Sequence, residues 1–265
     1  MVMLCKSITE AELLKGNWQN WYVQQKLDGS RVMLVKKQNQ INLISRTNND
    51  YTNKYPEIVD EAKDLPDCIL DGELTFYDNN GKDIFLTSLA TAETIKEYGV
   101  KPTLMLFDVI ELEGINLCRT PLLSRKEALR SIFVNRKNNN IKLLSWHDDA
   151  VKLWEYVKEK DAEGIVIKHK QSSYTPTPNY RSKYWLKIKN WREAELIMDG
   201  FEYMSNADKG ITLINKEGYR VACAGEQSKK VIAILEKEGK VKVKIQYLQK
   251  TNEGKFRFIS YRGLA

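Results

Sequence analysis

One change of pattern, near residues 190–192, constrains the fold of this chain more than any other feature. Before it, strand-like and helix-like signals alternate. After it, short strand-like runs separated by Gly-containing turns surround a single helical stretch. A chain of 265 residues has room for two units of these sizes, each with its own core. The boundaries predicted from this change are 1–190 and 191–265. Within the first segment, runs 31–37 and 41–45 flank Gln38-Asn39-Gln40 and predict a hairpin. Pro56 suits the first turn of a helix over 56–63, and Thr87 can cap one that runs to Gly99. Further strands are predicted at 68–76, 103–110, 141–145, 164–168 and 183–189. Helical spacing fills 121–133 and 149–160, the second introduced by Asp148 and Asp149.

In the second segment, 193–203, 209–215 and 218–224 read as three successive strands. A helix begins at Ser228 and stops at Gly239, and strands at 240–249 and 255–261 follow. Three strands, a helix and two strands is the element order of an OB barrel. The expected fold class is therefore α+β: mostly antiparallel sheets with flanking helices, then a small β-barrel.

Hydrophobic residues make up 42% and charged residues 29%, values that exclude a disordered or fibrous chain. No apolar run approaches the ~18 residues of a membrane span. The opening Met1-Val2-Met3-Leu4-Cys5-Lys6 lacks the apolar core and cleavage site of a secretory signal. Cys5, Cys68, Cys118 and Cys223 form no C-x-x-C pair, which argues against a disulfide framework or a zinc ribbon. The expectation is a reduced, cytoplasmic protein without a structural metal. With 42 basic and 35 acidic residues the net charge is +7, a weak pointer to a polyanionic partner.

Chemistry concentrates in a few segments. Lys26-Leu27-Asp28-Gly29-Ser30-Arg31 follows strand-like Trp21-Tyr22-Val23. It reads either as a charged turn or as a nucleophilic lysine at a strand end, held by a glycine turn, with Arg31 near to meet a phosphate. A lysine amine attacks only when neutral, so its pKa is expected to be lowered by burial or neighbouring cations. Those cations are sought in Lys183-Tyr184-Trp185-Leu186-Lys187-Ile188-Lys189, where Lys183, Trp185, Lys187 and Lys189 share one face of a strand. Lys187 and Lys189, roughly 7 Å apart, can grip one phosphate; the same lysines also suit a solvated edge strand. Asp71 and Glu73 share a face of an apolar strand, and Glu163 directly precedes the apolar run Ile165-Val166-Ile167. Such carboxylates need metal, hydroxyl or cationic partners. Strict alternation puts Glu163 and Lys168 on opposite faces, so both face one site only if Glu163 lies outside the pleat.

The ordered set KLDGSR, SRTNNDYTNKYPEI, LDGELTFYD, LMLFDVIELEG, AEGIVIK and KYWLKIK resembles the motif series of ATP-dependent DNA ligases, within the covalent nucleotidyltransferase superfamily. The resemblance runs from about residue 20 to residue 190 and continues in FRFISYRG, which is similar to the last motif of that family's OB domain. It implies a nucleotidyltransferase (adenylation) domain over 1–190, an OB-fold domain over 191–265, and ATP as co-substrate with magnesium (or manganese). Lys26 would form the lysyl–AMP bond, Phe107 would stack on adenine, Glu73 would meet the ribose and Gln24 would read the adenine edge. Arg31, Lys168, Lys187, Lys189 and Arg262 would hold nucleotide phosphates. Arg46 would face the nick phosphate, Asp28 would serve the sealing step, and Glu73 and Glu163 would be the metal-linked acids. The implied partner is nicked double-stranded DNA, met by a monomer in the cytoplasm of a bacterial cell or a phage-infected host during replication, repair or recombination.

Three departures from the family pattern stand out. Relatives often carry Glu where this chain has Gln24, the last motif reads Arg262-Gly263-Leu264-Ala265 without an Asp-Lys pair, and an N-terminal DNA-binding domain is not expected. The alternatives are an RNA ligase or mRNA-capping guanylyltransferase-like enzyme, and an inactive OB-type nucleic-acid-binding protein. Intact Lys26, Glu163 and Lys187 oppose the last of these.

Overall fold

The computed structural model describes residues 2–79, 92–137, 139–177, 180–205, 210–251 and 253–265. The chain divides into two compact units, Met1–Ile188 and Lys189–Ala265. The first unit carries β1 (Leu4–Ser7), α1 (Glu10–Lys15), β2 (Trp21–Lys26), β3 (Ser30–Lys37), β4 (Gln40–Ser45) and α2 (Pro56–Ala62). These are followed by β5 (Cys68–Tyr77), α3 (Ala92–Glu97), β6 (Lys101–Leu112), β7 (Ile115–Asn116) and α4 (Leu122–Phe133). It ends with β8 (Ile141–Leu143), α5 (Ala150–Glu159), β9 (Gly164–His169) and β10 (Arg181–Lys189). Three elements are absent from the sequence expectation: β1, four residues long, α1, six residues long and opened by a Thr9–Glu12 capping box, and the two-residue β7. The expected cap at Thr87 lies outside the described residues.

Two sheets form this unit. One runs β1-β10-β9-β2; the other runs β4-β3-β5-β6-β7, with β8 paired to β6. Each turns one face to helices, as period-two alternation requires. Val23, Ile165, Ile167, Leu186 and Ile188 pack with Leu13 of α1 and with Leu153, Trp154 and Val157 of α5. Val32, Leu34, Leu70, Leu74, Leu104 and Leu106 pack with Ile58 of α2 and with Leu129, Ile132 and Phe133 of α4. The alternate positions point the other way, and a third, smaller cluster (Met3, Leu27, Phe107, Leu144, Tyr174, Trp185) draws on both sheets. The charged residues of interest surround that cluster.

The second unit contains β11 (Arg192–Met198), β12 (Gly200–Tyr203), β13 (Ile211–Ile214), β14 (Arg220–Cys223) and α6 (Glu226–Glu238). It continues with β15 (Val241–Tyr247), β16 (Gln249–Lys250), β17 (Phe256–Arg257) and β18 (Ser260–Leu264). The single strand expected over 193–203 is broken at Asp199. Its first part joins sheet β11-β15-β18 and its second joins β12-β13-β14, so one run of chain serves two sheets. The strand expected over 255–261 likewise splits, with Phe258 at a positive φ of 54° between the halves. One core, including Met198, Leu213, Val221, Val231 and Val243, lies beneath both sheets. Among the described residues no helix is long and apolar enough to cross a membrane.

Candidate active site

β2 and β9 run antiparallel, with Lys26 opposite Gly164, Gln24 opposite Val166 and Tyr22 opposite Lys168. Val23 belongs to the helix-facing core. Tyr22, Gln24 and Lys26 therefore share the other face, with Lys26 at its end. On the second sheet, Arg31 lies opposite Glu73, and Asp71 and Glu73 leave the face that Leu70 and Leu74 bury. The turn from β2 to β3 is pressed onto β5: a Cβ on Gly29 would stand 2.2 Å from the Leu74 carbonyl oxygen. Glycine is required there because backbone and not side chain is the neighbour.

Lys26 Nζ donates to Glu163 at 2.6 Å. Glu163 precedes β9, and Gly164 has a φ of 154°, so Glu163 escapes the strand's alternation and reaches the lysine. Burial opposes the charge on Lys26, but Glu163, Glu73 and Asp28 outweigh it and hold the ammonium above its ordinary value. The lowered pKa expected for this nucleophile is thus corrected: the groups acting on it most are carboxylates, not the lysines of β10. Glu73 shows the complementary effect. Burial, against the attraction of Lys26 and Arg31, raises its carboxyl to about 7.

Arg31 also departs from expectation. Nε and one terminal nitrogen grip Asp71 at 2.9 and 2.5 Å, and the other terminal nitrogen donates to the Met3 carbonyl at 2.6 Å. The Tyr174 hydroxyl donates to the same Asp71 carboxylate at 2.7 Å. Burial disfavours the guanidinium, yet Asp71 more than compensates and raises its pKa. Most of its five N–H donors are spent inside the protein. In this arrangement it ties Met3, just before β1, to β3 and β5.

Phe107 is aimed by an irregularity in β6. Asp71 pairs with Asp108 and Gly72 with Leu106, leaving Phe107 as an extra residue in a β-bulge. The bulge is pinned by Arg125 of α4, whose Nε and Nη2 donate to Asp108 at 2.8 and 2.9 Å, with both side chains fully buried. Arg125 also donates to the carbonyls of Thr120 and Ser172 at 2.6 and 2.9 Å.

Lys168 does not join Lys26. The register places it four residues along the pair, roughly 13 Å away. Its Nζ lies 4.1 Å from the Phe107 ring centre and 4.0 Å from that of Trp185. Burial lowers its pKa to about 8. Lys168 thus stands beside Phe107 and Trp185, away from the Lys26 end of the strand pair. Gln24 is buried and its Nε2 donates to the Leu144 carbonyl at 3.4 Å.

Arg46 is exposed after β4, its N–H donating to the Arg31 carbonyl at 3.2 Å. Asp28 is half-buried in the turn, and Lys187 is half-buried near the end of β10. Lys189 opens the second unit, its Nζ 5.5 Å from the Trp191 ring centre and 5.7 Å from that of Phe258. Arg262 is exposed, contacts Gln246 and occupies a bulge, because Ile245 pairs with Tyr261 and Lys244 with Gly263. Sequence reasoning missed Arg125, Lys126 and Tyr174. A signal existed for two of them: Leu122, Arg125, Lys126 and Leu129 recur at helical spacing, putting two cations on the buried stripe of α4.

Two carboxylates, Glu163 and Glu73, act most strongly on Lys26. Among the described residues no group of three or more His, Cys, Asp or Glu side chains could hold a metal. An all-protein cage is therefore not formed, whereas a carboxylate pair suits magnesium, which completes its shell with water and substrate phosphates.

The ATP dependent DNA ligase domain family matches residues 2–189. Over 200 residues the chain is 34% identical to the SPbeta prophage-derived DNA ligase-like protein LigB of Bacillus subtilis, covering 75% of this chain and 70% of that protein. It is 30% identical over 206 residues to a DNA ligase of Methanococcus aeolicus, covering 71% of this chain but only 35% of that longer relative. Two solved structures share the fold. The ligase domain of LigD from M. tuberculosis has a TM-score of 0.60 at 20% identity, covering 100% of this chain and 94% of that one. A Lig E DNA ligase has a TM-score of 0.66 at 18% identity, covering 100% and 98%. With residues 2–189 matched by that family and 34% identity to the prophage protein over 200 aligned residues, the chain belongs to the ATP-dependent DNA ligases.

Proposed function

We propose that this chain seals 5′-phosphate/3′-hydroxyl nicks in duplex DNA through an AMP carried on Lys26. The observation that supports this most is a strand-end lysine 2.6 Å from Glu163 with Glu73 in its field, on a sheet whose face continues to Gln24. In the first step the Lys26 nitrogen bonds to the α-phosphorus of ATP and the bond to pyrophosphate breaks. The ammonium proton must leave first, and Glu163 is the acceptor in hydrogen-bond reach. In the second step a 5′-phosphate oxygen of the nick attacks the same phosphorus, the P–N bond breaks and the lysine regains a proton. In the third the 3′-hydroxyl attacks the nick phosphorus and AMP leaves.

These are in-line phosphoryl transfers, governed by positioning and charge. Glu73 and Glu163 would hold magnesium, which when bound neutralises phosphate charge. We assign adenine stacking to Phe107, its edge to Gln24 and the sealing step to Asp28. Arg46, Lys187, Lys189 and Arg262 are the cations assigned to phosphates of ATP or the nick. The second unit, with strands on two sheets around α6 and one core, is read as an OB fold, and the protein as a monomer.

The test uses ATP and magnesium, with intact mass as the readout. One AMP is expected on the protein, none on Lys26→Ala, and sealing is expected when nicked DNA is added to the adduct. Arginine cannot replace Lys26, since its guanidinium stays protonated. A normal adduct on Lys26→Ala overturns the assignment.

A further inference from the structure

Lys126 sits beside Arg125 on α4, buried, and the mechanism above gives it no part. Its Nζ lies 3.1 Å from the Trp146 ring centre and 3.5 Å from that of Tyr22, and those two rings meet edge-on at 5.2 Å. An ammonium between two aromatic faces is a strong cation–π arrangement. Burial is the largest influence and lowers its pKa to about 7, with Asp148 and Glu127 favouring the charge and Arg130 and Lys168 opposing it. Lys170 completes the rim, 4.6 Å from the Tyr22 ring centre and 3.2 Å from Asp148.

The position of Trp146 gives this cage a consequence. Residues 144–147 join the two sheets at the Gln24 end of the cleft. The Leu144 N–H donates to the Leu106 carbonyl at 2.8 Å, just before Phe107 in β6. The Leu144 carbonyl accepts from Gln24 at 3.4 Å. Val23 and His147 exchange two backbone hydrogen bonds of 2.9 and 2.8 Å. Tyr22 is the next residue on the face that carries Gln24 and Lys26. One turn of α4 thus holds both walls: Arg125 pins the Phe107 bulge, and Lys126 pins the segment that Gln24 leans on.

We infer that Lys126 is a positioning residue for the nucleotide base: by clamping Trp146 against Tyr22 it fixes residues 144–147, and through the Leu144 carbonyl it fixes which atoms Gln24 presents. The inference rests on the reading of Lys26 as the adenylated lysine and Gln24 as the base contact. It assigns Lys126 to nucleotide affinity and base choice, with little part in the transfer itself.

The test follows formation of the lysyl adduct by intact mass as ATP or GTP is varied with magnesium, in the full chain. Lys126→Met keeps length and removes charge; Lys126→Arg keeps a cation in the cage. Lys126→Met is expected to raise the half-saturating ATP concentration about tenfold and leave the saturated rate within about twofold. Its preference for ATP over GTP should fall about fivefold. Lys126→Arg is expected to stay within about threefold of the unaltered protein in both respects. An unchanged half-saturation and preference in Lys126→Met overturns the inference, as does a loss confined to the saturated rate. Should Lys126→Met fail to fold, Trp146→Leu and Tyr22→Leu open the same cage from its other sides, and the same criteria apply to them. No ATP adduct on the unaltered protein removes the Lys26 reading itself, whereas a normal adduct with an indifferent Lys126→Met removes only this inference.

Discussion

Removing Arg125 while leaving Asp108 isolates the energetic weight of the pair behind Phe107. Both side chains are fully buried and joined by two hydrogen bonds of 2.8 and 2.9 Å. Arg125→Met leaves a carboxylate without its cation and takes one donor each from the carbonyls of Thr120 and Ser172, of which Ser172 keeps the Leu122 N–H. Breaking a buried pair from one side costs about 3–5 kcal/mol, because the remaining charge keeps its desolvation penalty. In a unit of this size each kcal/mol is worth about 2–4 °C, so the melting midpoint should fall by about 6–20 °C. Asp108→Leu made together with Arg125→Met removes both charges and should recover most of that loss, to within about 2 kcal/mol of the original. Circular dichroism melts and urea titrations of the four proteins complete the cycle. A loss below about 1 kcal/mol in Arg125→Met, or a double variant as unstable as the sum of the singles, would refute this account of the pair.

Three further outcomes are expected. Gly29→Ala drives a methyl group into the Leu74 carbonyl oxygen, 2.2 Å away; the turn must shift, and ATP-dependent adduct formation on Lys26 should slow at least tenfold, measured at saturating ATP. Glu73 carries a raised pKa of about 7 against an ordinary 4.5. The folded state therefore binds the extra proton, and stability is greatest below pH 4.5 as far as this group is concerned, falling as pH rises to about 7. Glu73→Gln should flatten that slope by about 1–3 kcal/mol, and urea titrations giving parallel pH profiles for both proteins would contradict it. Binding to nicked duplex should weaken tenfold or more over a fourfold rise in salt if several phosphates are neutralised, which fluorescence anisotropy can follow.

The faces of the strands were legible because side chains alternate with period two. Val23, Ile165, Ile167, Leu186 and Ile188 declare a buried face, and Gln24, Lys26 and Lys168 fall opposite it. The position of Glu163 was legible as a conflict: strict alternation set it opposite Lys168, and the backbone resolves this just before β9, where Gly164 takes a φ of 154°. Other features depend on contacts that no spacing encodes. The Phe107 bulge arises from the register of β5 on β6. The charge on Lys26 reflects carboxylates brought from β5 and from the entry to β9. Arg31 was assigned outward from its motif, but Asp71, forty residues on, turns it inward. β1 was missed because four residues are too few to show a period.

The ion pair between Lys26 and Glu163 also bears on how the protein fares between turnovers. A free lysine amine reacts with aldehydes, activated esters and other carbon electrophiles through the same lone pair it would offer to phosphorus. Held as an ammonium by a carboxylate at 2.6 Å, that lone pair is occupied by a proton and the residue is inert to them. On the proposed reading of Lys26 as the adenylated residue, the same ion pair would guard it between turnovers, until a substrate competes for the carboxylate that holds it.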